Sequence, residues 1–141
     1  MSHKLTLKQV VLCGRRRALG TFKNIRQAAE DMVERDEELL DLSDFGFIPR
    51  CNDYEVDDYE GVDYDRAIDK AVDYYVRNID EVASYDNRRG LVYVYESKKG
   101  NYFVATSQDN TDLKKIKPDA KGNLVVRVSK GGCDYNLNIK V

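Results

Sequence analysis

Apolar residues recur along the chain with two different spacings, one typical of strands and one typical of helices. Short apolar-rich runs cover residues 8–13 and 17–22, which predicts an N-terminal β-hairpin with Arg15, Arg16 and Arg17 at its tip. The helical spacing follows, because Asn24 can cap a helix with Gln27 three residues on. Apolar residues then recur at i, i+3, i+4, i+7 and i+8, namely Ile25, Ala28, Ala29, Met32 and Val33. The first helix is predicted over residues 25–42.

A second helix is predicted over residues 63–83, after an irregular and carboxylate-rich connection over residues 43–61. Its core-facing stripe is predicted to consist of Ile68, Val72, Tyr75, Val76, Ile79 and Val82. Asp65, Asp69 and Asp73 fall on another face of the same helix. The long connection is a candidate for a functional loop, since loops of this length are uncommon without a role.

The remainder of the chain has the period of strands. Residues 91–97 and 102–107 flank a short turn, residues 113–117 form a short strand, and residues 124–129 and 135–141 flank Gly131-Gly132. In the last run Tyr135, Leu137, Ile139 and Val141 alternate with polar residues. We therefore expect one α+β domain over residues 1–141. Its parts are an N-terminal β-hairpin, two helices flanking an acidic loop and a C-terminal antiparallel β-meander, with the helices on one sheet face.

Charge is distributed very unevenly along the chain, although the net charge is only −2. Residues 1–29 hold seven basic and no acidic groups, residues 30–86 hold five basic and twenty acidic groups, and residues 87–141 hold eleven basic and five acidic groups. The net charges of the three segments are therefore +7, −15 and +6. We expect the acidic middle and the basic ends to occupy separate surfaces, leaving at least one strongly negative surface.

Tyrosine and carboxylate side chains alternate in the acidic segment. Three Asp-Tyr-acid triplets start every five residues, at Asp53, Asp58 and Asp63, which matches neither the helix nor the strand period. Exposed tyrosine supplies rigid contact area at interfaces, although a solvated acidic loop with incidental tyrosines is the more ordinary interpretation. On the second helix, carboxylates four residues apart are about 6 Å apart along the axis, comparable to neighbouring nucleic-acid phosphates. The predicted partner-binding residues are Asp53, Tyr54, Glu55, Asp58, Tyr59, Glu60, Asp63, Tyr64, Asp65, Asp69 and Asp73.

No spacing in the sequence indicates catalysis, a metal or a cofactor. The single histidine, His3, lies at the N-terminus, where it offers no credible general base. An EF-hand register with Gly61 at the sixth position puts Val56 and Ala67 where calcium ligands are required. Three widely spaced cysteines and the absence of an export signal favour thiols in a reducing cytoplasm. We predict a non-enzymatic protein without catalytic residues, metal or cofactor.

The segment from Gly14 to Phe22, followed by Ala28-Ala29, resembles the sequence that leads from a strand into a helix in the plant ethylene-response type of DNA-binding domain. The resemblance covers only a short part of the chain. It implies a three-stranded sheet backed by a helix that reads DNA with arginine and tryptophan side chains, whereas this chain contains no tryptophan. A sequence of this kind can also serve only to pack the edge of a hairpin against a helix, without any role in DNA binding. We favour that interpretation and assign no family from the sequence.

The sequence is compatible with two main classes of function, and a third class ranks below them. The first is a non-catalytic acidic binding or inhibitor protein, of a kind typical of bacteriophage, that mimics nucleic acid and occupies the basic cleft of a nuclease or another host DNA-handling or defence protein. The alternative is a nucleic-acid-binding protein that uses Arg15, Arg16, Arg17, Lys98 and Lys99. A small-ligand-binding protein or an enzyme of unknown type is the third. We expect a cytoplasmic location and no membrane partner, because no apolar run could span a bilayer. The oligomeric state stays open.

Overall fold

A computed structural model describes residues 4–45, 64–85, 89–106, 113–130 and 133–141. The chain folds into two compact units, one formed by Met1–Ala28 with Ile79–Val141 and the other by Ala29–Asn78. We call them the β unit and the helical unit. A single domain over residues 1–141 stays a prediction. In chain order the elements are β1 (Thr6–Gly14), β2 (Arg17–Phe22), α1 (Ile25–Asp36), a 3-10 helix (Leu42–Phe45), α2 (Tyr64–Arg77), α3 (Ile79–Ser84), β3 (Gly90–Glu96), β4 (Tyr102–Ala105), β5 (Lys114–Ile116), β6 (Asn123–Lys130) and β7 (Cys133–Lys140).

The β unit is built on a five-stranded antiparallel sheet with the order β2-β1-β3-β4-β5. The predicted N-terminal hairpin is confirmed, with Arg15 and Arg16 in its turn, and so is the predicted hairpin of β3 and β4. The two hairpins join through β1 and β3, where Cys13 is opposite Gly90 and Thr6 is opposite Glu96. The mixed α+β class is therefore as predicted, and the sheet combines segments from both ends of the chain.

Strands β6 and β7 form a separate two-stranded sheet instead of continuing the meander. Their inward side chains include Leu124 and Leu137, which are almost fully buried together with Val11 and Val92 from the large sheet. The predicted alternation along β7 is confirmed, because Leu137 and Ile139 are buried whereas Asn136 and Asn138 are exposed. Burial of this apolar stripe explains why β6 and β7 cover one face of the large sheet.

The opposite face of the large sheet carries α3. Tyr93 of β3 is 1% exposed and its hydroxyl donates a 2.8 Å hydrogen bond to Oδ1 of Asp80 in α3. Ile79 and Ala83 of α3 are also buried. The hydrogen bond gives the phenol a partner, so the large tyrosine side chain can be buried with little penalty.

The helical unit consists of most of α1, the 3-10 helix and α2. Tyr75 of α2 is buried and its hydroxyl donates to Oδ2 of Asp36 at the end of α1, at 3.2 Å. Phe45 of the 3-10 helix contacts Tyr74 edge to face, with ring centroids 5.8 Å apart. Among the residues that the structure describes, no helix has both the length and the apolar composition needed to cross a lipid bilayer.

The start of α1 is as predicted and its end is not. The backbone N–H of Gln27 donates to Oδ1 of Asn24 at 2.9 Å, and the predicted apolar residues other than Ile25 are buried. The helix ends at Asp36 instead of residue 42. Asp36 is followed directly by Glu37 and Glu38, and negative charge at a helix C-terminus is destabilising because the helix dipole is negative there.

The second predicted helix is divided into α2 and α3 at Asn78. The side-chain amide of Asn78 donates to the carbonyl oxygen of Tyr74 at 3.0 Å, a local bond that competes with helical pairing. Within α2 the buried side chains are Ala67, Ala71, Val72 and Tyr75, whereas Ile68 is only partly buried. Hydropathy gives more weight to large apolar side chains than to alanine. The predicted stripe therefore omits Ala67 and Ala71, which the fold buries.

The hydroxyl of Tyr135 in β7 offers a test of packing in the β unit. Its oxygen is buried and has no hydrogen-bond partner among the described residues. Burial raises the pKa of the Tyr135 phenol to about 12, and the nearby Cys13 adds to the rise. The Cys13 thiol is itself buried and donates to the carbonyl oxygen of Gly90 at 3.3 Å.

We expect Tyr135→Phe to leave the stability at neutral pH unchanged or to raise it by up to about 1 kcal/mol, because it removes a buried hydroxyl whose polar neighbour, the sulfur of Cys13, is only a weak acceptor. The raised pKa means that the unfolded chain loses this proton first as the pH rises. The wild-type protein should therefore lose stability between the ordinary tyrosine pKa of 10.0 and about 12, and the variant should lose less. Urea unfolding across that range measures both effects. A variant clearly less stable at neutral pH would contradict this account of the hydroxyl.

Candidate functional site

The two compact units carry opposite net charges. Residues 29–78, the helical unit, contain seventeen acidic and five basic side chains, a net charge of −12. Residues 1–28 and 79–141, the β unit, contain eighteen basic and eight acidic side chains, a net charge of +10. The charge segregation along the sequence thus coincides with the division of the fold, and each unit has a surface of a dominant sign.

The acidic surface with the clearest geometry lies on α2. Asp65, Asp69 and Asp73 are all exposed and are separated by four residues, so they lie along one side of the helix about 6 Å apart in axial rise. Asp65 and Asp69 form no ion pair with a described residue. We refer to the three carboxylates as the acidic row. The row is positioned by α2, whose other side is buried.

We expect Asp65→Asn, Asp69→Asn and Asp73→Asn, made together, to leave thermal stability unchanged or slightly raised. Like charges four residues apart on a helix are destabilising by a few tenths of a kcal/mol, and the replacements remove that repulsion. A thermal melt followed by circular dichroism measures the effect. A large fall in the melting temperature would show instead that the row holds the fold together through ion pairs.

Most of the predicted acidic segment lies outside the described residues. This applies to Asp53, Tyr54, Glu55, Asp58, Tyr59, Glu60 and Asp63, whose contribution to binding stays a prediction. Tyr64, the first residue of α2, is partly buried. The four predicted residues that the structure describes are therefore Tyr64 and the acidic row.

A groove of about 480 Å³ borders the acidic row within the helical unit. It lies between the 3-10 helix and one face of α2, and its lining residues are Asp44, Phe45, Lys70, Asp73, Tyr74 and Arg77. Two acidic and two basic groups line it, so the groove has no net charge of its own. Lys70 and Arg77 therefore offset part of the charge of Asp73 on this side of the row.

The basic residues predicted for nucleic-acid binding do not form one cluster. Arg15, Arg16 and Arg17 are exposed at the turn of β1 and β2, beside the start of β3. Lys98 and Lys99 are exposed in the turn of β3 and β4, beside the start of β1. The length of β1 separates the two turns, which at about 3.3 Å per residue is roughly 25 Å. The predicted set is therefore two sites at opposite ends of the large sheet.

The end with Lys98 and Lys99 brings together further lysines that are distant in sequence. Lys4 lies just before β1, and further lysines lie on β5, next to β4. The open end of the β6–β7 hairpin contacts β1, because the side-chain amide of Gln9 donates to the carbonyl oxygen of Lys140 at 3.3 Å. We call this the lysine end. Its exposed members are Lys4, Lys98, Lys99, Lys114, Lys115, Lys117, Lys121 and Lys140.

Strand pairing, which hydropathy patterns do not provide, was needed to recognise the lysine end as one surface. The available signal in the sequence was the repeated occurrence of lysine beside predicted turns. In the described part of the chain, no group of three or more histidine, cysteine, aspartate or glutamate side chains is arranged to hold a metal ion. In comparisons with protein-family models, curated proteins and solved structures, no significant match to this chain was found.

Proposed function

We propose that this chain is a non-catalytic acidic binding protein that uses the helical unit to occupy the basic, nucleic-acid-binding cleft of another protein. The partner would be a nuclease or another DNA-handling protein, and occupation of its cleft would inhibit it. The cytoplasm is the proposed location, since such a partner acts there and the thiols would stay reduced.

The observation that carries this proposal is the acidic row on a unit whose net charge is −12. The row presents three negative groups at about 6 Å intervals on a rigid helix, which is the kind of pattern that a phosphate-binding cleft accepts. Because α2 fixes the spacing before binding, little backbone ordering has to accompany association. Arginine and lysine side chains that normally contact phosphates can contact carboxylates in the same way.

The long-range field of the helical unit supports the same proposal. Complementary charge accelerates association and discriminates against acidic partners, and both effects weaken as salt is added. The neutral lining of the neighbouring groove gives less support to a small charged ligand. The exposed carboxylates are thus better suited to an extended basic partner than to a compact anion or cation.

Affinity capture tests the proposal. The tagged protein is incubated with lysate of the cells in which it is naturally made, at about 0.05 M and about 0.5 M salt. We expect capture of a basic nucleic-acid enzyme at low salt and much weaker capture at high salt. Absence of such an enzyme from the captured material at low salt would contradict the proposal, and recovery of nucleic acid in its place would favour the alternative function. Capture that is insensitive to salt would contradict an electrostatic mimic.

A further inference from the structure

We propose that the lysine end of the β unit is a second binding surface, which contacts the phosphate backbone of a nucleic acid without reading its sequence. This surface belongs to the other compact unit from the acidic row and has the opposite sign. Its activity therefore does not depend on the proposed inhibitory function, and either proposal can fail without the other.

The geometry of the large sheet sets the width of the surface. Thr6, Glu96, Tyr102 and Ile116 are opposite one another across β1, β3, β4 and β5. With neighbouring strands about 4.8 Å apart, this row is roughly 14 Å wide. Lysines lie beyond this row before β1, in the turn of β3 and β4 and after β5, whereas the two lysines within β5 lie along the edge of the sheet. Along one strand of a duplex, phosphates repeat about every 3.4 Å of axis, so the surface spans roughly four of them.

The charges of the lysine end are available for an external anion. None of its eight lysines is within ion-pair distance of a carboxylate in the part of the chain that the structure describes. The two nearby acidic groups that the structure describes have other partners. Glu96 pairs with Lys8 at 3.5 Å, and Asp119 accepts the backbone N–H groups of Lys121 and Asn123, both at 2.9 Å.

Lys8 is not part of this surface, although it lies beside it. Its ammonium donates a 3.3 Å hydrogen bond to the hydroxyl of Tyr102 and lies 5.0 Å from the centre of that ring. The hydrogen bond to Tyr102 raises the pKa of Lys8, and the charge of Glu96 adds to the rise. Lys8 therefore fixes β1, β3 and β4 to one another, whereas the eight exposed lysines extend into solvent.

Protection of a sheet edge is the ordinary explanation for part of the cluster. β5 is an edge strand, and lysines on an edge strand discourage pairing with another chain. That explanation covers Lys114 and Lys115. It does not cover Lys98, Lys99 and Lys121, which lie in turns and protect no strand edge. A test that changes only these three turn lysines therefore separates binding from edge protection.

The experiment measures binding of a short fluorescein-labelled DNA duplex by fluorescence anisotropy at several salt concentrations. A wild-type contact with about four phosphates should give a slope of about −4 for log K against log salt concentration. We expect Lys98→Gln, Lys99→Gln and Lys121→Gln, made together, to weaken binding at least about tenfold at about 0.05 M salt and to make the slope shallower by up to about 3. Circular dichroism verifies that the variant is folded.

Arg15→Gln, Arg16→Gln and Arg17→Gln form the matched control, since they remove the same charge from the opposite end of the same sheet. This control should weaken binding less than about threefold. Equal weakening by both variants, or no binding by the wild-type protein at about 0.05 M salt, would overturn the proposal. A single-stranded probe distinguishes a duplex from an unpaired strand as the source of the phosphates. Polyglutamate binding as tight as DNA binding would show an acidic polypeptide partner and would also overturn it.

Discussion

Replacing Asp65, Asp69 and Asp73 with asparagine is expected to weaken binding to the captured partner about 100-fold. Each carboxylate that faces a basic group in the interface should contribute about 1 kcal/mol, a value between those of exposed pairs and of close interfacial pairs. Three such losses amount to about 3 kcal/mol, and each 1.4 kcal/mol is tenfold in affinity. Titration of the purified partner with wild-type protein and variant, under identical salt conditions, measures the change.

Net charge alone could weaken binding by a smaller amount, so the variant needs a control with the same charge change. Glu34→Gln, Glu37→Gln and Glu38→Gln remove three charges from α1 and the turn after it, within the same helical unit. We expect this control to bind within about fivefold of the wild-type protein, mainly through slower association. Equal effects of the two variants would mean that total charge, and not the acidic row, determines recognition.

Replacing Leu124 with alanine is expected to lower the free energy of unfolding by about 2–5 kcal/mol. The side chain is fully buried in β6 and belongs to the apolar cluster shared by the two sheets of the β unit. Its truncation removes buried apolar surface and leaves a cavity that the surrounding strands can only partly fill. Equilibrium unfolding in urea measures the loss, and a similar slope for both proteins would show that the transition has the same character.

The next residue in the same strand is a matched control, because its side chain points in the opposite direction. Val125 is 42% exposed, so Val125→Ala should cost less than about 1 kcal/mol, mostly through β propensity. Equal costs at the two positions would contradict the assignment of Leu124 to the core. A large loss at Leu124 alone supports the account in which β6 and β7 are an integral layer of the unit.

Local sequence signals predicted the elements that depend on local physics. Residues within a few positions of one another specify three of these elements, namely the helix cap at Asn24, the turn between β3 and β4, and the alternation of buried and exposed residues in β7. The end of α1 and the break at Asn78 were missed. Hydropathy periodicity does not register charge at a helix end or a side-chain amide that competes for a carbonyl oxygen.

Long-range pairing could not be predicted from the same signals. The neighbours of β1 are β2 and β3, and an apolar strand of this type has no local feature that selects a partner some eighty positions away. The same contrast between local and long-range order applies to the candidate sites. Exposure of the acidic row followed from one helix and was predictable, whereas separation of the arginines from Lys98 and Lys99 depended on the arrangement of the sheet.

Competition with DNA tests the central claim most directly. The captured partner is immobilised with this protein bound, and a duplex that the partner recognises is added in increasing concentration. The bound protein carries Lys98→Gln, Lys99→Gln and Lys121→Gln, so that the duplex does not bind to its lysine end. A protein that mimics nucleic acid competes with the nucleic acid for one cleft, so the account predicts that the duplex displaces the protein completely. The variant in which Asp65, Asp69 and Asp73 are replaced should be displaced at a lower duplex concentration. A stable ternary complex at saturating duplex would contradict it.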